Sequence, residues 1–148
     1  MKVVLQRVSS ANVVVDAKCV AEIGKGYLAL VGIEQGDSEE NVQFLAKKTV
    51  ELRVFADEEG KMNRSLLDVS GELLAVSQFT LLADWRKGRR PGFTKAASPE
   101  EGKRLYELYV SKVRDFGVSC GCGIFGADMK VSLVNDGPVT LLLDTHDS

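Results

Sequence analysis

The chain has 148 residues, 45% of them hydrophobic and 27% charged, with a net charge of -2. That length fits one domain, spanning 1–148, and the balance excludes a disordered chain. The net charge excludes a uniformly basic nucleic-acid coat, though not a local basic patch, and a lone histidine, His146, excludes a multi-histidine metal site.

The first third has the composition of strands. Val3, Val4, Leu5 and Val8 form one β-rich run, Val13 to Val15 a second, and Cys19 to Ile23 a third after a turn at Ala17-Lys18. Gly24-Lys25-Gly26 signals a turn, and Tyr27 to Ile33 is a buried strand by composition. A helix follows. Asp37 with Glu40 makes a capping box, with Ser38 as the competing cap, and Val42, Leu45, Ala46, Thr49 and Leu52 recur at helical spacing. Residues 52–57 are expected as a strand ending in the turn Asp57-Glu-Glu-Gly60, and 61–71 as a loop.

Glu72 to Phe79 is an apolar strand running into Ser77, Gln78 and Thr80. Residues 83–97, with Gly88, Pro91, Gly92 and a charge cluster, form a loop longer than most connections. The second helix has the best signals. Ser98 caps it, Pro99 takes the first position, Glu101 closes a capping box and Gly117 stops it. Its apolar stripe is Leu105, Leu108, Tyr109, Val113 and Phe116, interrupted by Lys112. Met129 to Val134 and Val139 to Leu143 are expected as two strands separated by an Asn135-Asp-Gly-Pro138 turn. The fold class is therefore α+β, with a curved, mainly antiparallel, barrel-like β-sheet and two principal helices.

Cys19, Cys120 and Cys122 are an odd set, unsuited to a disulfide framework and too small for structural zinc. No apolar run reaches the roughly 20 residues of a membrane span. No signal-peptide layout opens the chain, because Gln6 and Arg7 interrupt the first apolar stretch. The expectation is a cytoplasmic protein with no membrane partner, cofactor or metal.

Three segments have chemical potential. Ser77-Gln78-Phe79-Thr80 ends an apolar strand with hydroxyls, an amide and backbone N–H groups, the material of an oxyanion hole. The same residues also suit a strand whose polar side chains simply face water. Asn135-Asp-Gly-Pro-Val-Thr140 is an ordinary turn recipe, or else a rigid backbone element for a site that rejects ligands by shape. Arg86, Lys87, Arg89 and Arg90, with Lys95 nearby, concentrate positive charge in a near-neutral chain. They suit either a solvated loop or RNA contact, with Trp85 and Phe93 as flanking stacking partners and Lys61 and Arg64 on the same surface. The thiols have no histidine near them in sequence, and His146 sits on a polar tail.

Taken in order, these segments resemble the D-aminoacyl-tRNA deacylases. The resemblance runs from MKVVLQRV through GYLALVGI, KMNRSLLDVSGELLAVSQFTL, the loop with Lys87, Arg90 and Pro91, and FGADMKVSLVNDGPVT. Cys120-Gly-Cys122 departs from the family pattern but touches no proposed catalytic residue. The resemblance implies a homodimer that hydrolyses the ester joining a D-amino acid, or glycine, to the terminal adenosine of tRNA. It places Ser77, Gln78, Phe79 and Thr80 in the catalytic motif. Gly137 and Pro138 become a chiral-selection motif whose peptide bond is cis and which reaches the partner's active site. The tRNA itself becomes a partner, with Arg86, Lys87, Arg89, Arg90 and Lys95 as candidate contacts. Two rivals remain: a related deacylase preferring small L-amino acids such as alanine, and a non-catalytic nucleic-acid module.

Overall fold

The computed structural model describes residues 1–146. Its elements run β1 (Lys2–Val15), β2 (Lys18–Ile23), β3 (Gly26–Gly32), α1 (Glu39–Glu51), β4 (Phe55–Ala56), β5 (Met62–Arg64), β6 (Glu72–Ser77), a short 3₁₀ helix (Phe79–Leu82), α2 (Pro99–Asp115), β7 (Cys120–Cys122) and β8 (Lys130–Asp144). No helix among the described residues is long and apolar enough to cross a membrane.

One mixed sheet carries the fold. β1 pairs antiparallel with β2, β3 and β8, while β6 pairs parallel with both β3 and β7. The sheet curves into a nearly closed barrel, as the composition predicts. β3 and β6 are its centre and are apolar on both faces, as parallel strands covered on two sides must be. Tyr27, Ala29, Leu73 and Ala75 face a core shared with the helix residues Val42, Leu45, Tyr109 and Val113. Leu28, Leu74 and Val76 face a second core inside the curve, with Val8, Ala11, Val13 and Ile23. Where β3 and β6 begin, a Cβ on Gly26 would stand 1.8 Å from the Glu72 carbonyl oxygen, so only glycine lets the two backbones meet.

Several local expectations give way. The two opening runs are one 14-residue strand. The two closing runs are likewise one 15-residue strand, so Asn135–Pro138 is not a turn between strands. A step of two positions along β1, from Val8 to Gln6, is matched by a step of five along β8, from Asn135 to Thr140, so the intervening residues bulge. The bulge has a packing cause. Val131 and Leu133 before it pack on the inner core, and Val139, Leu141 and Leu143 after it pack on the helix-side core.

At α1 the cap is Ser38, not Asp37: Ser38 Oγ accepts from Asn41 N–H, and Asn41 Oδ1 accepts from Ser38 N–H at 3.0 Å. Asp37 instead faces the buried Met1 ammonium at 2.8 Å and accepts Glu34 N–H. At α2, Ser98 caps as expected, but the Glu101 carboxylate turns to Arg104, which also reaches Glu39 and so ties the starts of the two helices. The buried α2 face includes Tyr106 and Val110, which the predicted stripe omitted, whereas Phe116 lies exposed beyond the last turn. Strand structure in 52–57 shrinks to Phe55–Ala56, and β6 stops at Ser77 before the 3₁₀ helix.

Candidate active site

β3 and β6 run parallel, so both present their C-terminal ends to the same side of the sheet. A cavity of about 570 Å³ opens there. Its wall takes Ser77, Gln78 and Phe79 from the end of β6, Phe93 from the long loop, Tyr106 from α2 and Phe125 from the β7–β8 connection. Phe79 and Phe93 meet edge to face, with ring centroids 5.1 Å apart, and Phe79 keeps 57% of its surface exposed. A mostly apolar, aromatic cavity with a few polar groups at one edge is the ordinary form of a small-molecule site.

The polar edge is built by the abrupt end of β6. Gln78 N–H still donates to Val31 O at 2.7 Å, which holds the segment to β3. The chain then turns into the 3₁₀ helix at Phe79, and the Gln78 side-chain amide donates to Thr80 Oγ1. Ser77, Gln78 and Phe79 line the cavity, while Thr80 lies exposed just behind them. Tyr106 donates its hydroxyl to Ala75 O at 2.8 Å, and burial raises its pKa, so the phenol stays neutral beneath the site.

Gly137 and Pro138 do not join this group within one chain. They are exposed at the bulge of β8 and absent from the cavity wall, and the peptide between them is cis. The bulge is pinned from both sides. Arg7 donates from Nε to Asp136 O and from Nη1 to Val54 O at 2.7 Å, while Asn135 accepts from Val139 N–H and donates to Thr140 Oγ1. A Cβ on Gly137 would lie 2.7 Å from Val139 Cγ2 and 3.1 Å from Arg7 Nη2, and its φ of 131° already disfavours other residues. Arg7 was missed by sequence reasoning, where it registered only as an interruption of the first apolar run. Tyr106 and Phe125 carried no signal beyond apolar character.

The basic loop leaves the cavity directly. Asp84 and Gly92 exchange backbone hydrogen bonds of 2.7 and 2.8 Å, closing residues 84–92 into a tied loop with Gly88 at positive φ. Arg86, Lys87, Arg89, Arg90 and Lys95 are exposed. Among the described residues, none of the five is in an ion pair. Lys61 and Arg64, by contrast, are paired with Glu59 and Glu58 on the β4–β5 hairpin.

Elsewhere, His146 is half exposed but not idle. Its Nε2 lies 2.7 Å from Glu34 and 3.3 Å from Asp37, the only grouping of metal-capable side chains among the described residues. Asp37 is already matched there by the Met1 ammonium. The three cysteines are free, and burial pushes the Cys120 thiol up to about 12.

The model of the family described as D-Tyr-tRNA(Tyr) deacylase matches residues 4–144. The chain belongs to that family. A D-aminoacyl-tRNA deacylase of Pelobacter propionicus is 58% identical over 97% of this chain and 99% of that relative. One of Geobacter sulfurreducens is 56% identical over 98% of this chain and 95% of that protein. Among solved structures, a c-Myc DNA unwinding element binding protein superposes with a TM-score of 0.92 at 38% identity, covering 98% of this chain and 99% of that one. A probable eukaryotic D-amino acid tRNA deacylase superposes at 0.81 with 19% identity over 96% and 97%, a likeness that concerns the fold alone.

Proposed function

We propose that this protein hydrolyses the ester of D-aminoacyl-tRNA, and of glycyl-tRNA, releasing the amino acid and the tRNA. The observation that carries the reading is Ser77-Gln78-Phe79 opening onto an aromatic-lined cavity in a chain of this family. Water attacks the ester carbonyl carbon. The carbonyl oxygen becomes an oxyanion, which backbone N–H groups at Phe79 and Thr80 stabilise. Collapse breaks the bond to the ribose oxygen, which leaves with a proton. No histidine base is required, because an aminoacyl ester is already reactive and positioning with oxyanion stabilisation suffices. The neighbouring ribose 2′-hydroxyl assists the water. Thr80 as a nucleophile is disfavoured: its only side-chain partner among the described residues is the Gln78 amide, which cannot serve as a base.

Chirality is read by shape. Gly137 and Pro138 enter the active site of a partner subunit in a homodimer. Their backbone holds the substrate's α-amino group and leaves no room for an L side chain. A single wall serves every D-amino acid, where side-chain recognition would need a separate pocket for each. Three features support this: the segment is exposed, it stands outside its own chain's cavity, and it is braced by Arg7. Val134 and Leu142, 56% and 62% exposed on the same strand, suit a covered dimer face.

A nucleic-acid module without hydrolysis is the second reading, favoured by the cations of the 86–95 loop, which have no ion-pair partner among the described residues, and by the name of the 38% identical structural relative. Hydrolysis of matched D-Tyr, L-Tyr, Gly and L-Ala esters of tRNA separates the readings. Rapid loss of D-Tyr and Gly with L-Tyr intact supports the deacylase. Equal cleavage of D-Tyr and L-Tyr removes the wall, preferential loss of L-Ala points to the alanine-preferring relative, and intact esters on bound tRNA leave only the module. A fully active monomer in sedimentation removes the cross-subunit site.

A further inference from the structure

We propose that Trp85 is a stacking platform for an unpaired nucleobase of the RNA strand leading out of the cavity. This rests on the reading that the cavity takes the aminoacyl end of a tRNA. Trp85 is the only tryptophan in the chain and leaves 68% of its surface in solvent. The Arg86 guanidinium lies over its ring, 5.2 Å from the centroid, and covers one side. An Arg–Trp pair fixed in this way offers a π surface backed by positive charge, which suits a base joined to phosphates.

The position fits a strand rather than a free nucleotide. Phe93, at the base of the loop, touches Phe79 at the cavity mouth. Trp85 follows Asp84, whose backbone pairs with Gly92 next to Phe93. The indole therefore stands on a tied loop rooted at the mouth. Among the described residues, Arg86, Lys87, Arg89 and Arg90 accompany it without carboxylate partners. A terminal nucleoside in the cavity sends its preceding nucleotides along this loop, the phosphates meeting the cations and one base lying on the indole. Because every base has a π face, the contact favours single-stranded RNA without choosing its sequence.

The lone indole makes the test direct. Its fluorescence should be quenched by a single-stranded oligoribonucleotide ending in CCA that carries no amino acid, and not by a blunt RNA duplex of equal length. Trp85→Ala should raise KM for D-tyrosyl-tRNA roughly tenfold with little change in kcat, and Trp85→Phe should restore most of the loss. Hydrolysis of D-tyrosyl-adenosine, which has no preceding nucleotide, should be indifferent to both substitutions. Quenching by the duplex as strongly as by the single strand overturns the proposal. So does an unchanged KM in Trp85→Ala, an equal loss on D-tyrosyl-adenosine, or a fluorescence change that follows protein concentration instead of RNA. If the wild-type protein leaves D-esters intact, the deacylase reading fails, and oligonucleotide quenching still decides the role of Trp85.

Discussion

Arg7 on β1 donates from Nε to the carbonyl oxygen of Asp136 on β8, 3.1 Å away. The same guanidinium donates to Val54 O, so one side chain clamps the β8 bulge against the segment before β4. Arg7 is 14% exposed, which keeps the clamp largely out of water.

Removing this clamp should damage selection more than folding. Arg7→Ala is expected to lower kcat/KM for D-tyrosyl-tRNA by about 10- to 100-fold, the worth of a charged hydrogen bond. The ratio of D-Tyr to L-Tyr hydrolysis should fall with it. Arg7→Lys retains the charge but not the forked donors, and should fall between. Steady-state kinetics on the two esters, with a melting curve as control, checks this. An unchanged D/L ratio would separate Arg7 from chiral selection.

Oxyanion stabilisation by the backbone makes opposite forecasts for two neighbours. Thr80→Ala should leave kcat within about tenfold of wild type, since the amide groups remain. Phe79→Pro deletes one N–H at the first position of a helical turn, where proline is well tolerated. It should cost about 100- to 1000-fold in kcat. Single-turnover hydrolysis on both variants, with circular dichroism to confirm folding, decides the matter. Loss of all activity in Thr80→Ala alone would make the hydroxyl the nucleophile.

Alkali should unfold this protein from the inside. Burial pushes the Cys120 thiol from 9.0 to about 12 and also raises Tyr27, Tyr106 and Tyr109. The folded state therefore favours their neutral forms. Their contribution is intact below about pH 9 and is lost as pH climbs towards 12, because the unfolded chain ionises first. Urea midpoints measured from pH 8 to 11 should hold to about pH 9 and then fall, less steeply in Cys120→Ala. At pH 8, a thiol reagent should label exposed Cys19 in the native protein and reach Cys120 only after unfolding.

The buried pair between the Met1 ammonium and Asp37 has no solvent exposure on either side chain. Asp37→Asn leaves the ammonium facing a neutral amide, at a cost of about 3 kcal/mol or more. Urea unfolding at neutral pH measures it. A midpoint equal to that of wild type would mean that water reaches the pair.

The sequence made some of this legible and hid the rest for physical reasons. Strands that cross the barrel centre are apolar on both faces, so GYLALVG and ELLAVS announced themselves. Capping chemistry is local, so Ser98-Pro99 was placed correctly. Asp37 was misassigned because its partner, the Met1 amine, lies 36 residues away in sequence, beyond any local pattern. Asn135-Asp-Gly-Pro138 has the composition of a turn, and only the change of core on either side of it shows a bulge in a continuous strand. Ser77 to Phe79 was recognisable as a polar end to an apolar run, but the cavity it faces is completed by Phe93, Tyr106 and Phe125 from three separate elements. The neutralising glutamates of Lys61 and Arg64 were in plain view nearby, yet a count of cations alone overlooked them.

The parallel pairing of β3 with β6 has an evolutionary corollary. Two adjacent strands that finish on the same side send their outgoing connections to the same place. The polypeptide there can be lengthened, recharged or exchanged without disturbing a single rung of the ladder beneath. Residues 85–91, which lie between the tie points Asp84 and Gly92 and outside the cavity wall, are such an exchangeable part. If the loop contacts RNA as proposed, drift in that stretch would retune which RNAs are gripped, while the barrel and the cleft at its end pass unaltered from one descendant to the next.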